Sequence, residues 1–175
     1  NYLERTWYYV TLARSSWLDS PLRSQPMATP YAGTNGQLVY HETGNDDGTT
    51  NPASPITAYV QSSDFDIGDG HNFGFVWRMI PDITFDGSNV NKPQANFTVR
   101  PRQFPGTNYG TSDNPAVKST QNYAGQQSYN VQQFTEQVYV RLRGRQMAFR
   151  VESTELGVAW QLGTPRMDVR PDGRR

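Results

Sequence analysis

The sequence predicts an all-β protein whose main body is an antiparallel, jelly-roll-like β-sandwich of about seven to eight strands. Three observations predict it. Between 138 and 151 the chain alternates with a period of two. Val138, Val140, Leu142 and, after Gly144, Met147, Phe149 and Val151 take apolar places, whereas Arg141, Arg143, Arg145 and Arg150 take polar ones. Period two marks half-buried strands with one face on a core and the other turned outward. Second, 15 Gly, 12 Pro and 13% aromatic residues describe short strands joined by many turns, and disfavour helix throughout. Third, only 18% of residues are charged and the net charge is zero, yet the mean hydropathy is −0.76. Polarity therefore comes from Asn, Gln, Ser, Thr, Gly and Tyr, unlike the composition of an ordinary cytosolic enzyme.

Taken in order, residues 2–12 (YLERTWYYVTL) suggest a strand or two strand fragments rich in Trp7, Tyr8 and Tyr9. These aromatics have no evident neighbours in the next forty residues, so 1–15 is expected to be the end of an upstream β domain. The chain opens on Asn1 without an initiator methionine, which points to a longer polypeptide continuing upstream. Residues 16–55 are expected to be a linker with one short strand: Pro21, Pro26 and Pro30 oppose helix, GQLVYHETG is the strand, and NDDGTTNPASP is a loop. The sandwich is expected over 56–175. ITAYVQSSDFDI, HNFGFVWRMIPDITF and QANFTVRPRQF supply strands separated by GDG, DGS and PGTNYG turns. Pro81 and Pro101 lack a ladder donor and belong at edges, bulges or strand ends. The polar run 106–127 is longer than a compact domain usually carries and is expected at a subunit contact. SYNVQQFTEQVYVRLRG, RQMAFRVES and GVAWQLG through DVRPD close the sandwich.

The absence of cysteine excludes a disulfide framework and thiolate metal sites, so stability must come from packing or assembly. No apolar run approaches the ~20 residues that span a bilayer, and no secretory segment opens the chain, so no membrane insertion is expected.

Constellations that could carry chemistry are few. Asp64, Asp66 and Asp69 place three carboxylates within six positions, a set of oxygens that calcium would accept. Their spacing matches no EF-hand loop, and Asp before Gly is what a turn demands, so turn chemistry or pairing with arginine is preferred to metal. His41 and His71 stand thirty positions apart, without HExxH or GxSxG. Carboxylate pairs such as Glu136 with Glu152, or Asp64 with Asp82, could flank a glycosidic bond, but any chain with sixteen acids offers such pairs. No nucleophile, base and oxyanion donors converge, and no catalytic residue and no cofactor are expected.

The arginines carry the strongest signal. Arg141, Arg143, Arg145, Arg150, Arg166 and Arg170, with Arg174 and Arg175 behind them, make the last 35 residues basic in a neutral chain. Guanidinium groups suit DNA phosphates, and equally the aspartates of a neighbouring subunit, with their stems packed on aromatics. Trp77 and Trp160 could stack on sugar rings if exposed. Their apolar neighbours Phe75, Val76, Val158 and Leu162 favour a place in the core.

RLRGRQMAFRVES and GVAWQLGTPRMDVRPDGRR, together with QSSDFDIGDG, RMIPDITFDGS and the opening NYLERTWYYVTLAR, resemble the C-terminal region of a bacteriophage tail structural protein family, the tail-nozzle or tail-tube proteins of short-tailed phages. The resemblance runs over most of the chain. It implies a propeller-like upstream body and a virion location, with synthesis in the bacterial host cytoplasm. It also implies a homo-oligomeric ring, expected to be a hexamer, that contacts portal or adaptor and other tail proteins and tail fibres. Double-stranded DNA would pass through it transiently. A subunit interface for the arginines is favoured over DNA contact, because strongly basic walls would hold a genome in transit. A carbohydrate-binding receptor or fibre-attachment module and a capsid decoration protein are the competing structural expectations.

Overall fold

The computed structural model describes residues 3, 5, 7, 9–19, 24–30, 37–66, 68, 70–106 and 126–173. The chain is all-β: its strands form several antiparallel sheets, with no helix among the described residues and hence none that could cross a membrane. Two compact units divide it, Asn1–Gly44 and Asn45–Arg175.

The first unit is a three-stranded sheet of β1 (Arg14–Leu18), β2 (Met27–Pro30) and β3 (Val39–Tyr40), in that order. Side-chain bonds reinforce its short ladders. Thr29 Oγ1 lies 2.7 Å from Ser15 Oγ and 2.6 Å from Ser16 Oγ, and Arg14 Nε donates to His41 Nε2 at 3.0 Å. The His41 ring sits 4.6 Å from Trp17. Strands this short bury almost nothing: Ala28 is the buried hydrophobic residue among those described here. Residues 16–44, expected as linker with one short strand, carry that strand as β3 within GQLVYHETG and, beyond it, β2 and most of β1. The described residues of 2–12, expected as strand, lie outside any strand, with Trp7 95% exposed.

The second unit begins with a small hairpin, β4 (Asp46–Asp47) against β5 (Ser54–Pro55), within the stretch expected as loop. Its body is two facing sheets. One contains β6 (Ala58–Gln61), β7 (Phe65–Asp66), β10 (Gln94–Arg102), β11 (Gln127–Gln132) and β13 (Gln146–Ser153). Its order is β11-β10-β13-β6, with β7 on the same edge of β13 as a continuation of β6. The other is β12 (Val138–Gly144), β8 (Gly74–Ile80) and β15 (Arg166–Pro171), with β8 in the centre. A further pair, β9 (Ile83–Thr84) and β14 (Gln161–Leu162), lies beside them. The two main sheets hold eight strands, within the range the sequence predicts.

The core lies between these sheets. Ala95, Phe97 and Val99 of β10, Val131 of β11, and Met147, Phe149 and Val151 of β13 face Val76 and Met79 of β8 and Val138, Val140 and Leu142 of β12. Phe97 and Phe149 meet at 5.3 Å with rings tilted by 56°, an edge-biased contact that adds to area burial. Tyr129, opposite Phe97, packs against the same cluster and donates its hydroxyl to Gln127 Oε1. Burial raises its phenol above the usual tyrosine range, because the charged form is poorly solvated there.

The prolines obey their donor deficit. Pro81 follows the last residue of β8, and Pro101 lies beyond the point where β11 stops pairing with β10. The tight turn joining β12 to β13 passes from one sheet to the other at Gly144. A Cβ there would sit 2.9 Å from Pro101 Cβ and 3.0 Å from Gln146 O, and the next residue, Arg145, donates its amide to Arg102 O at 2.7 Å. Glycine is required by this close approach. Most of the polar run 106–127 lies outside the described residues.

Candidate interaction surface

The outer face of the three-stranded sheet carries most of the predicted arginines. β12 alternates without exception: Val138, Val140, Leu142 and Gly144 are buried, and Tyr139, Arg141 and Arg143 are exposed. On β15, Arg166, Asp168 and Arg170 point outward, while Met167 and Val169 pack on the core. β8 departs from alternation. Arg78 stands opposite Asp168 and Val76 opposite Val169, so Trp77 is an extra residue, a β-bulge. Val76 and Met79, three positions apart, are therefore both buried, and Trp77 and Arg78 between them both turn outward.

Trp77 consequently joins an arginine–aromatic array instead of the core its neighbours suggested. Its ring lies 4.7 Å from Arg78 Cζ and 5.0 Å from Arg170 Cζ. Arg143 Cζ lies 4.1 Å above the Phe73 ring, and Arg145 Cζ is 4.9 Å from Phe73 and 5.4 Å from Phe104. Each such contact is worth about 0.5–1 kcal/mol at an exposed site. Trp160, the other sugar-stacking candidate, packs against the core.

Two aspartates anchor part of the array. Asp168 accepts from Arg78 Nε at 2.6 Å and pairs with Nη2 at 2.5 Å, and Asp172 pairs with Arg143. Arg143 also donates to the Asp172 carbonyl at 3.0 Å. Among the described residues, the Arg141 and Arg166 side chains find no partner, and Arg170 has only the Trp77 ring. The face therefore sets five arginines (78, 141, 143, 166 and 170) against Asp168 and Asp172.

Arg150 lies elsewhere. It belongs to β13, on the outer face of the five-stranded sheet, where it binds Glu152 Oε2 through Nε at 2.8 Å and Nη2 at 2.6 Å and covers Tyr59 at 3.9 Å. Arg100 and Arg102 share that face. Arg100 donates to Gln61 Oε1 at 3.0 Å, and Arg102 pairs with Asp64 at 2.7 Å. Neither was singled out in the sequence, although the 100/102 spacing in QANFTVRPRQF is the same period-two signal seen in β12. The single basic surface expected from the C-terminal run is thus divided between the two sheets, with Arg145 at the turn that links them.

Of the carboxylates considered for metal, Asp64 is engaged by Arg102, Asp66 is exposed on β7 opposite Gln146, and Asp69 lies outside the described residues, as do Arg174 and Arg175. No group of three metal-ligating side chains occurs among the described residues. Asp64 and Asp82 stand at opposite ends of the sandwich, since β7 pairs with the Gln146 end of β13 while Asp82 follows the Ile80 end of β8. No protein-family model matches the chain, and no curated protein does either.

Proposed function

We propose that this chain is a structural subunit of a bacteriophage tail, assembling with copies of itself into a ring on the tail axis through which the genome leaves. The observation that carries the proposal is the outer face of β12, β8 and β15. There Arg141, Arg166 and Arg170 project without an acidic partner among the described residues, while the other face of the same sheet closes the core. Unpaired guanidinium groups beside exposed aromatics such as Tyr139, 61% exposed, have the composition of a protein interface. The resemblance of RLRGRQMAFRVES and GVAWQLGTPRMDVRPDGRR to tail-nozzle proteins supplies the setting. In that setting the subunit contributes a rigid wall and needs no chemistry of its own.

A carbohydrate-binding role draws support from the half-exposed Trp77, but Arg78 and Arg170 already stand against its ring. Cryo-electron microscopy of the intact particle tests the proposal. A ring of copies below the portal is the expected result, whereas peripheral trimers or a place on the shell would overturn it.

A further inference from the structure

Among the described residues, the two ends of the sandwich carry opposite charge. β8 runs from Gly74 to Ile80, and Gly74 pairs with Gly144 and Pro171, while Ile80 pairs with Arg166. The β12–β13 turn brings the Gly144 end together with Gln146 and Arg102 of the other sheet. At this end lie Arg100, Arg102, Arg143, Arg145 and Arg170, against Asp64, Asp66 and Asp172, two of which are already paired.

At the other end, loops converge through named bonds. Asn45 Nδ2 donates to Gly87 O at 2.8 Å, Gly157 N to Asp46 Oδ1 at 2.6 Å, and Thr164 N to Asp82 Oδ2 at 2.7 Å. Gln94 donates to Glu155, and the 133–137 turn leads into Val138 beside Met79. These loops hold Asp46, Asp47, Asp82, Asp86, Glu136 and Glu155, against Lys92 and Arg166. Backbone amides hold Asp46 and Asp82 in place, so their charges are fixed in position. Asp86 and Glu136 are exposed, with no side-chain bond among the described residues.

A seven-residue strand is about 20 Å long at ~3.3 Å per residue, whereas charges are screened over about 8 Å at physiological salt. The ends therefore do not cancel one another, and each presents its own sign. The acidic end also displays Phe134, 89% exposed, on a turn closed by Thr135 N to Gln132 O at 3.0 Å and Gln132 N to Thr135 Oγ1 at 3.0 Å. Arginines already stand over the buried Phe73 and the partly buried Trp77 within the chain, and an exposed ring offers a partner's arginines the same contact.

We infer that the chain associates head to tail: the basic end and adjoining arginine face of one copy dock on the acidic loops and Phe134 of the next. This rests on the self-assembly proposed above and names the surface the arginines meet. Such a contact is heterologous, so it closes into a ring if the rotation between copies allows.

Sedimentation velocity of the full chain tests it, using Arg141→Glu/Arg170→Glu, Asp86→Lys/Glu136→Lys and Phe134→Ser, none of which removes a core contact. The wild type is expected to associate at physiological salt and to dissociate in 1 M NaCl, where screening shortens to about 3 Å. Each charge-reversed variant is expected to lose affinity by about 100-fold or more, since like charges then face one another. An equimolar mixture of the two is expected to associate again, and Phe134→Ser to weaken association with circular dichroism unchanged. If Asp86→Lys/Glu136→Lys associates like the wild type, or the mixture stays monomeric, the head-to-tail pairing is wrong while ring assembly stands. A wild type that stays monomeric at every concentration would overturn both.

Discussion

Phe97 and Thr98 are adjacent in β10 and equally hidden, at 0% and 2% exposure, yet they face opposite sides of the sheet. Phe97 fills the space between the sheets against Phe149, whereas Thr98 holds Ser128 Oγ at 2.8 Å on the outer face. Burying roughly 150–200 Å² of ring surface at about 25 cal/mol per Å² corresponds to about 4–5 kcal/mol. Truncation to alanine in other cores costs about 3–5 kcal/mol once the cavity is included. Thr98→Ala removes one hydroxyl contact, worth about 1 kcal/mol. Each kcal/mol moves the Tm of a unit this size by about 3–5 °C, so Phe97→Ala should lower Tm by about 10–20 °C and Thr98→Ala by about 3–5 °C. Urea unfolding followed by circular dichroism gives the free energies directly, with an unchanged m-value as the check on two-state behaviour. Equal losses for the two variants, or a loss below about 1.5 kcal/mol for Phe97→Ala, would mean that the odd positions of β10 do not face an inter-sheet core.

Two further predictions concern single residues. Gly157 has φ +70°, and a Cβ there would overlap Asn89 Oδ1 and come within 2.8 Å of Val90 Cγ1. Gly157→Ala should therefore cost about 1–3 kcal/mol in urea unfolding, and a neutral result would refute the loop geometry. The raised Tyr129 phenol keeps its proton at pH values where an unfolded tyrosine, near 10.0, has lost it, so the stability it contributes is intact below about pH 10 and falls as pH rises beyond. Tyr129→Phe should flatten that fall in unfolding measurements between about pH 9 and 11, and identical slopes for the two proteins would refute the assignment.

The sandwich was legible because β12 and the inner positions of β10 and β13 keep strict alternation, which only a two-sided environment imposes. Trp77 was not legible as a surface residue. Phe75 and Val76 precede it in an apolar run, and the bulge that turns Trp77 outward arises from pairing with β15, ninety positions away in the chain. The arginines looked like one face because they are close in sequence, but β12 and β13 belong to different sheets once the chain turns at Gly144. β3 was legible within GQLVYHETG, whereas β1 and β2 escaped detection for another reason: with little buried beyond Ala28 among the described residues, no apolar periodicity is required of them.

The contrast between β12 and β8 has a consequence for how this surface can change over generations. Positions 139, 141 and 143 project alternately with core residues, so exchange there removes no core contact. At Arg143 it removes the Asp172 and Phe73 contacts, and at Arg141, whose side chain has no partner among the described residues, new recognition can be tried with the least penalty. β8 offers no such freedom. Its register carries one residue more than β15, so an insertion or deletion near Trp77 would move Val76 or Met79 out of the interior as it moved the ring. Variation among related chains should therefore gather on β12, while β8 drifts only by side-chain replacement at constant length.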